Sequence, residues 1–321
     1  MYTSCMRLVR NPLVSEIPVV LAMGSFDGLH LGHQALLDEA KALARKTGVP
    51  SAVLTFEPLP REFFNKDEAP PRLMSLHERL QGFQSLGLER VFLCRFDEHI
   101  ASLAPSDFLG YLKENLLVQG FVAGDDFRFG ANRLGDIAFL RNFSQRKHLD
   151  LVTVPQVCLF GSRVSSTAIR KALSQGDLRL ARLFLGRPYG VSARVEKGDG
   201  RGREIGYATA NLGIGGRRLP LSGVFAVTAN LEEKRYWGMA NIGVRPTIED
   251  SQKTRLEAHF FGWEGDLYGK RILVQFWKKL RDEQKFSSVA ALAAQIRQDE
   301  KAAKEALYHI AKEEKWTIEA L

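Results

Sequence analysis

Cysteine is scarce in this chain. The three cysteines, Cys5, Cys94 and Cys158, are odd in number and far apart. They fit neither a disulfide framework nor a metal-ligand spacing, and such usage suits a reducing compartment. Long apolar runs are missing too, and none approaches the ~20 residues that a membrane span needs. The best leader candidate, Ile17–Met23 behind Arg7 and Arg10, is short and contains Pro18, so no signal peptide is expected. The expectation is a cytoplasmic protein. The sequence has no G-x-x-x-x-G-K-[ST], no H-R-D and no D-F-G, which excludes P-loop and protein-kinase phosphate sites. Internal repeats and low-complexity linkers are also absent.

What is present is an ordinary globular composition, 45% hydrophobic and 26% charged over 321 residues, a length that suits two domains. The net charge of +8 favours anionic ligands. It is spread along the chain and lacks the clustered basic and aromatic surface of a nucleic-acid binder, so polyphosphate ligands are expected and nucleic acid is not. Neither composition nor charge decides between a monomer and a homo-oligomer.

The two halves have different periods. Val19–Met23, Ala52–Phe56, Arg90–Phe96, Gly120–Ala123 and Leu151–Val154 are short apolar runs, suited to strands buried on both faces of a parallel sheet. Amphipathic stretches lie between them. His33–Lys46 puts Leu36, Leu37, Ala40, Leu43 and Ala44 on one face, and Ser75–Glu78 opens another helix with a capping box. This alternation predicts a doubly wound α/β domain over residues 1–185. Ten glycines then fall from Gly186 through Gly223, followed by short β-type segments at Gly223–Asn230, Arg235–Ala240, Arg255–Phe261 and Ile272–Trp277. A small antiparallel β barrel over residues 186–321 is expected, closed by a helix from Ser287 to about Ala311. Its buried face is read as Val289, Leu292, Ile296, Leu307 and Ile310.

Gly24-Ser25-Phe26-Asp27-Gly28-Leu29-His30-Leu31-Gly32-His33 lies between a predicted strand and a predicted helix. Glycines let backbone approach a phosphate, and the helix N-terminus offers unpaired N–H groups. Gly24, Phe26, Asp27 and Gly28 are the candidate nucleotide contacts, and His30 and His33 can both donate to phosphate oxygens. By composition, H-x-G-H would occur about 0.01 times by chance. Val164-Ser165-Ser166-Thr167-Ala168-Ile169-Arg170 opens a later helix, with Ser165 or Ser166 as its N-cap. With these two motifs the first half resembles the nucleotidylyltransferase superfamily. Thr55-Phe56-Glu57-Pro58, Arg61–Phe64 and Gly124-Asp125-Asp126-Phe127-Arg128-Phe129-Gly130 narrow the resemblance to bacterial FAD synthetases. That resemblance implies adenylyl transfer from ATP to FMN. It places His30 and His33 at the reacting phosphates, with Ser165, Ser166, Thr167 and Arg170 on the ATP phosphates. Phe64, Phe127 and Phe129 become candidates to stack on the flavin, with Asp126 or Arg128 at its polar edge. Ser25 and Leu59 depart from the family's common Asn and His.

In the second half, the glycine-rich turn from Gly200 through Gly206 feeds Tyr207-Ala208-Thr209-Ala210-Asn211. Such a turn offers N–H donors to phosphates, and Thr209 and Asn211 offer oxygen ligands to a hard cation. The segment resembles the riboflavin kinase module. Ala240–Thr247, Leu256-Glu257-Ala258-His259, Gly265–Gly269 and Leu280-Arg281-Asp282-Glu283 follow in family order. The resemblance implies Gly202, Gly206, Thr209 and Asn211 on ATP, and Mg²⁺ at Thr209 and Asn211. Glu257 becomes the general base for the riboflavin hydroxyl, and Arg281 and Glu283 contact flavin. Ala208 stands where the family has proline, which would fix φ ahead of Thr209. The expected ligands are riboflavin, FMN, FAD and Mg·ATP. The alternative is an adenylyltransferase whose second half is a catalytically weak flavin-binding module.

Overall fold

In the computed structural model, which describes residues 6–10, 13–197, 207–245 and 253–316, the chain divides into two compact units. One comprises residues 1–70 and 74–166, the other residues 71–73 and 167–321.

The first unit is built on six parallel strands: β1 (Arg7–Val9), β2 (Val19–Met23), β3 (Ser51–Glu57), β4 (Arg90–Arg95), β5 (Val118–Gly124) and β6 (Asp150–Val154), in the order β1-β4-β3-β2-β5-β6. Every residue of β2 is buried, because helices cover both sides of the sheet. On one side, α1 (Leu31–Thr47) and α3 (Leu76–Ser85) pack on Val20, Ala22, Val53, Val91 and Val122. On the other, α5 (Pro105–Leu116) and α6 (Ile137–Arg146) pack on Val19, Leu21, Met23, Leu54 and Phe121. Helix α1 buries Leu36, Leu37, Ala40, Leu43 and Ala44, the face that its periodicity predicts, and ends at left-handed Gly48. Short helices α2 (Pro60–Phe64) and α4 (Glu98–Ser102) and the two-stranded ribbon of β7 (Cys158–Leu159) and β8 (Ser162–Arg163) decorate the loops. From β2 the sheet grows through β3 and β4 in one direction, and the chain then returns to β5 on the other side of β2. The carboxyl ends of β2 and β5 therefore flank the point where the strand order reverses, the usual ligand crevice of such sheets.

The second unit is a closed antiparallel barrel in the order β10-β13-β12-β11-β14-β9. Its strands are β9 (Tyr189–Glu196), β10 (Ala210–Gly213), β11 (Gly223–Leu231), β12 (Lys234–Arg245), β13 (Lys253–Phe260) and β14 (Arg271–Arg281). Inward residues such as Val191, Leu212, Phe225, Ala240, Leu256, Val274 and Phe276 fill the interior, and their neighbours in sequence point out. Helix α7 (Ser166–Ser174) starts at the division between the units, and α8 (Leu178–Leu185) packs on β9 and β14.

The C-terminal helix α9 (Val289–Glu313) lies on β11, β12 and β14 by the face that carries Ile296 and Leu307. Its buried residues are Asp299, Ala303, Ala306, Leu307 and Ala311, while Val289 is exposed. Alanines allow the helix close to the strands, and Asp299 can be buried because Arg281 meets its carboxylate with contacts of 2.7–3.1 Å.

Candidate functional site

The loop after β2 is held in a conformation that its sequence would not adopt alone. Phe26 (φ 51°), Gly28 (φ 95°) and Leu29 (φ 43°) are all left-handed, and two of them are not glycine. Such residues cost free energy unless their surroundings impose the geometry. Here the Phe26 ring is buried against Phe83 and His33. Asp27, also buried, accepts the Met74 N–H through Oδ1 at 2.9 Å, and its carbonyl accepts the Ser166 hydroxyl at 2.7 Å. The amide of Gln34 donates to the Leu29 carbonyl at 2.8 Å. A side chain on Gly24 would crowd the Phe26 ring, and one on Gly32 would crowd His30.

His30 is the N-cap of α1. Its Nδ1 accepts the His33 N–H at 3.3 Å, which leaves the proton of the neutral ring on Nε2. The two imidazoles stack 3.6 Å apart at 16°. The histidine pair thus sits together at a helix N-terminus beside the strand-order reversal, an arrangement that offers an anion both ring donors and helix N–H groups.

One residue that tightens this site escaped the sequence reading. Arg79 on α3 is fully buried, with an ion pair to Glu57 at 2.5 Å and hydrogen bonds to the Ser25 carbonyl, Thr55 Oγ1 and the Phe56 carbonyl. It ties the loop after β2 to the end of β3. The available signal was a charge at a core position: Leu76, Arg79, Leu80 and Phe83 share one helical face.

The candidate flavin residues are disposed unequally. Phe129 is core, packed among Phe108, Phe127 and Phe139, and Phe127 is partly buried beside it. Phe64 is 69% exposed, with Phe63 and Phe96 at its edges. Asp126 pairs with Arg163 on β8, and Arg128 pairs with Asp136 at 2.9 Å. The Phe139 N–H, with Arg128 beside it, holds the Asp136 carboxyl below the usual range. Ser165 directly precedes α7. Thr167 and Arg170 fall in the second unit, where Arg170 Nε donates to the Pro71 carbonyl at 2.7 Å.

In the second unit the closed barrel brings distant residues into one row. Strand register sets Asn211 between Glu196 and Glu257, and Glu257 between Asn211 and Asn241. All four alternate with buried neighbours, so they share the outer face of β9, β10, β13 and β12. Thr209 directly precedes β10. The amide and carboxylate oxygens of Asn211 and Glu257 lie side by side, and with the nearby Thr209 hydroxyl they are donor types that suit Mg²⁺ carried in with phosphates. Glu257 keeps 36% of its side chain exposed, with the Arg255 guanidinium 3.9 Å away. Asn241 donates to Glu283 at 3.4 Å, and the Glu283 carboxylate lies over Gly243, where a Cβ would collide with it. Arg281 is taken up by Asp299, so its guanidinium anchors α9 to the barrel. Gly202 and Gly206 lie outside the described residues, as do Cys5, Pro246 and Thr247.

Comparisons with known proteins match this two-part construction. Residues 14–168 match the family described as FAD synthetase, and residues 185–307 match riboflavin kinase. The bifunctional riboflavin kinase/FMN adenylyltransferase of Pseudomonas fluorescens is 41% identical over 89% of this chain and 92% of its own. That of Escherichia coli K12 is 42% identical over 94% of this chain and 97% of its own. A solved structure from Streptococcus pneumoniae, described as a macrolide-efflux protein, superposes with a TM-score of 0.79 at 30% identity, covering 92% of this chain and 98% of that one. That description belongs to that protein, and the likeness carried here is of fold. With both family matches in chain order and relatives aligned almost end to end, the chain belongs to the bifunctional riboflavin kinase/FMN adenylyltransferase family.

Proposed function

We propose that this protein makes FAD from riboflavin in two ATP-dependent steps, with residues 186–321 phosphorylating riboflavin and residues 1–185 adenylylating the FMN produced. The observation that carries the reading is the pair of family matches in chain order, supported by the stacked histidines at the first sheet's strand-order reversal and the Asn211–Glu257–Asn241 row on the barrel's outer face.

In the first step the riboflavin 5′-hydroxyl attacks the γ-phosphorus of ATP, the bond to the β-phosphate oxygen breaks, and ADP leaves. Glu257 takes the hydroxyl proton, since a high-pKa hydroxyl gains from a carboxylate in reach. Asn211 and Thr209 orient the phosphates beside it. Mg²⁺ held at these two oxygens would supply positive charge for the transferring group. Glu283, packed on Gly243 and bonded to Asn241, is assigned to the flavin by its motif.

In the second step an FMN phosphate oxygen attacks the α-phosphorus of ATP and pyrophosphate leaves. No covalent enzyme intermediate is needed, so positioning and charge stabilisation carry the rate. His30 and His33 donate to the oxygens at the reacting phosphorus, and the N-terminus of α1 adds its dipole. Ser166 steadies the loop through the Asp27 carbonyl. The assignment of Ser165, Thr167 and Arg170 to the ATP phosphates rests on their motif. Phe64 has the exposed ring best suited to stack on the flavin, and Asp126 or Arg128 would reach its polar edge. The cytoplasm is the compartment that fits ATP-dependent chemistry with free thiols at Cys94 and Cys158.

Incubating the purified chain with riboflavin and Mg·ATP, then resolving flavins over time, tests the whole reading. FMN should rise first and FAD follow. Protein that makes FAD from added FMN but never FMN from riboflavin would instead support the non-catalytic second half.

A further inference from the structure

The peptide that leads into Thr209 is gripped by side chains outside the glycine-rich turn. His259 stands two residues beyond Glu257 on β13 and sets its Nδ1 2.8 Å from the Ala208 carbonyl oxygen. A carbonyl only accepts, so this Nδ1 carries a proton and donates it. The preceding residue is held as well. The Tyr207 hydroxyl donates to Glu300 on α9 at 2.7 Å, and Lys304 reaches the same carboxylate at 3.0 Å. Burial, aided by Glu300, pushes the Tyr207 phenol up to about 12. Burial works to raise Glu300, but the Tyr207 hydroxyl and Lys304 hold it below its ordinary value. The His259 ring meets Tyr207 and Phe261 edge-on at 5.1 and 5.8 Å, which fixes the plane from which Nδ1 donates.

Ala208 has no ring to restrict φ, so a hydrogen bond to its carbonyl is an effective means of orienting this peptide. Thr209 is the next residue, and Asn211 lies beside Glu257 on the neighbouring strand. We propose that His259 is a positioning residue for riboflavin phosphorylation: its Nδ1–H clamps the Ala208 carbonyl and thereby sets the direction in which Thr209 and Asn211 present their oxygens to the nucleotide phosphates. The proposal rests on the reading that Thr209 and Asn211 hold the nucleotide, and it adds a role for the strand that carries the general base. One strand, β13, then fixes both the base and the phosphate-binding peptide, so the two cannot drift apart.

The test uses the full-length protein and two measurements. Hydrogen exchange of the segment 207–213 without ligand reports whether the peptide is held. Kinetics of riboflavin phosphorylation separate KM for ATP from kcat. An asparagine amide nitrogen lies as many bonds from the backbone as His Nδ1, whereas a glutamine nitrogen lies one bond further. His259→Ala and His259→Gln should speed exchange in this segment and raise KM for ATP about tenfold, the usual scale of one lost hydrogen bond. Their kcat should move less than about threefold by the same reasoning. His259→Asn should restore both readings, and conversion of supplied FMN to FAD should stay constant throughout. Equal behaviour of the Asn and Gln variants overturns the proposal, and so does a fall in kcat alone with exchange unchanged. Thr209→Ala separates the two levels of inference. An unchanged KM for ATP there overturns the nucleotide reading itself, while a raised KM beside unmoved His259 variants overturns only the clamp.

Discussion

Around His30 and His33 the supporting side chains are buried: Phe26 is 1% exposed, Asp27 3%, His30 7% and Arg79 0%. Around Glu257 they are half-exposed, and strand pairing rather than burial sets their places. The first unit holds an unfavourable loop conformation by packing it into a core, so its site and its stability share residues. The second carries its candidate site on the outside of a barrel whose interior is filled by other residues. Substitutions on that outer face should therefore alter chemistry with little effect on folding, whereas changes in the first loop should disturb both.

The sharpest break of this comparison is Glu257→Gln, which keeps shape but removes the proton acceptor. FMN formation should fall by roughly 10²–10⁴-fold, with unfolding temperature unchanged and supplied FMN still converted to FAD. A loss of both activities at unchanged stability would mean that one shared site serves both reactions. His33→Ala is the counterpart in the first unit. It should lower FAD formation by ~10²-fold so that FMN accumulates, and it should also lower the unfolding temperature, since His33 packs on Phe26. Flavin profiles and thermal scans of the same samples measure both effects.

A third comparison concerns where the second unit begins. Leu178, Ala181, Phe184 and Leu185 of α8 are all buried, and the helix packs on β9 and β14. A fragment from Thr167 should therefore be more stable than one from Gly186 by several kcal/mol, at ~1.5–3 kcal/mol for each large buried side chain. Urea midpoints of the two fragments decide this. Equal midpoints would show that α8 contributes nothing to the barrel.

The smallest effect is expected at Ala208. With its carbonyl held by His259, Ala208→Pro should change KM for ATP by no more than about threefold, because only residual freedom remains to be removed. A large loss of kinase activity would mean that the native φ at this position is incompatible with a pyrrolidine ring.

The two kinds of site also differ in how far the sequence alone reveals them. Short apolar runs announced β2 through β6, and the His33–Lys46 periodicity gave the buried face of α1, because those patterns follow from local geometry. The histidine pair was legible for the same reason, being three residues apart at a strand-to-helix junction. Distant pairings were not legible. Nothing local says that Asn211, Glu257 and Asn241 lie in one row, since barrel closure and register decide it. Nor does it say that Arg79 would be buried against Glu57 and the Ser25 carbonyl, or that Arg281 would be taken up by Asp299. The buried face of α9 was legible at Ile296 and Leu307 but not at its start, where Val289 is exposed, and close helix–barrel packing adds Ala303, Ala306 and Ala311 beside a paired carboxylate, Asp299. Sequence by itself indicated β2 to β6, β11 to β14, α1, α3, α7 and α9 and the two-part plan, while β1, β9, β10, α5, α6 and α8 went unread. Tertiary structure alone decided which charges are buried and which oxygens stand side by side, because those depend on contacts between residues tens of positions apart.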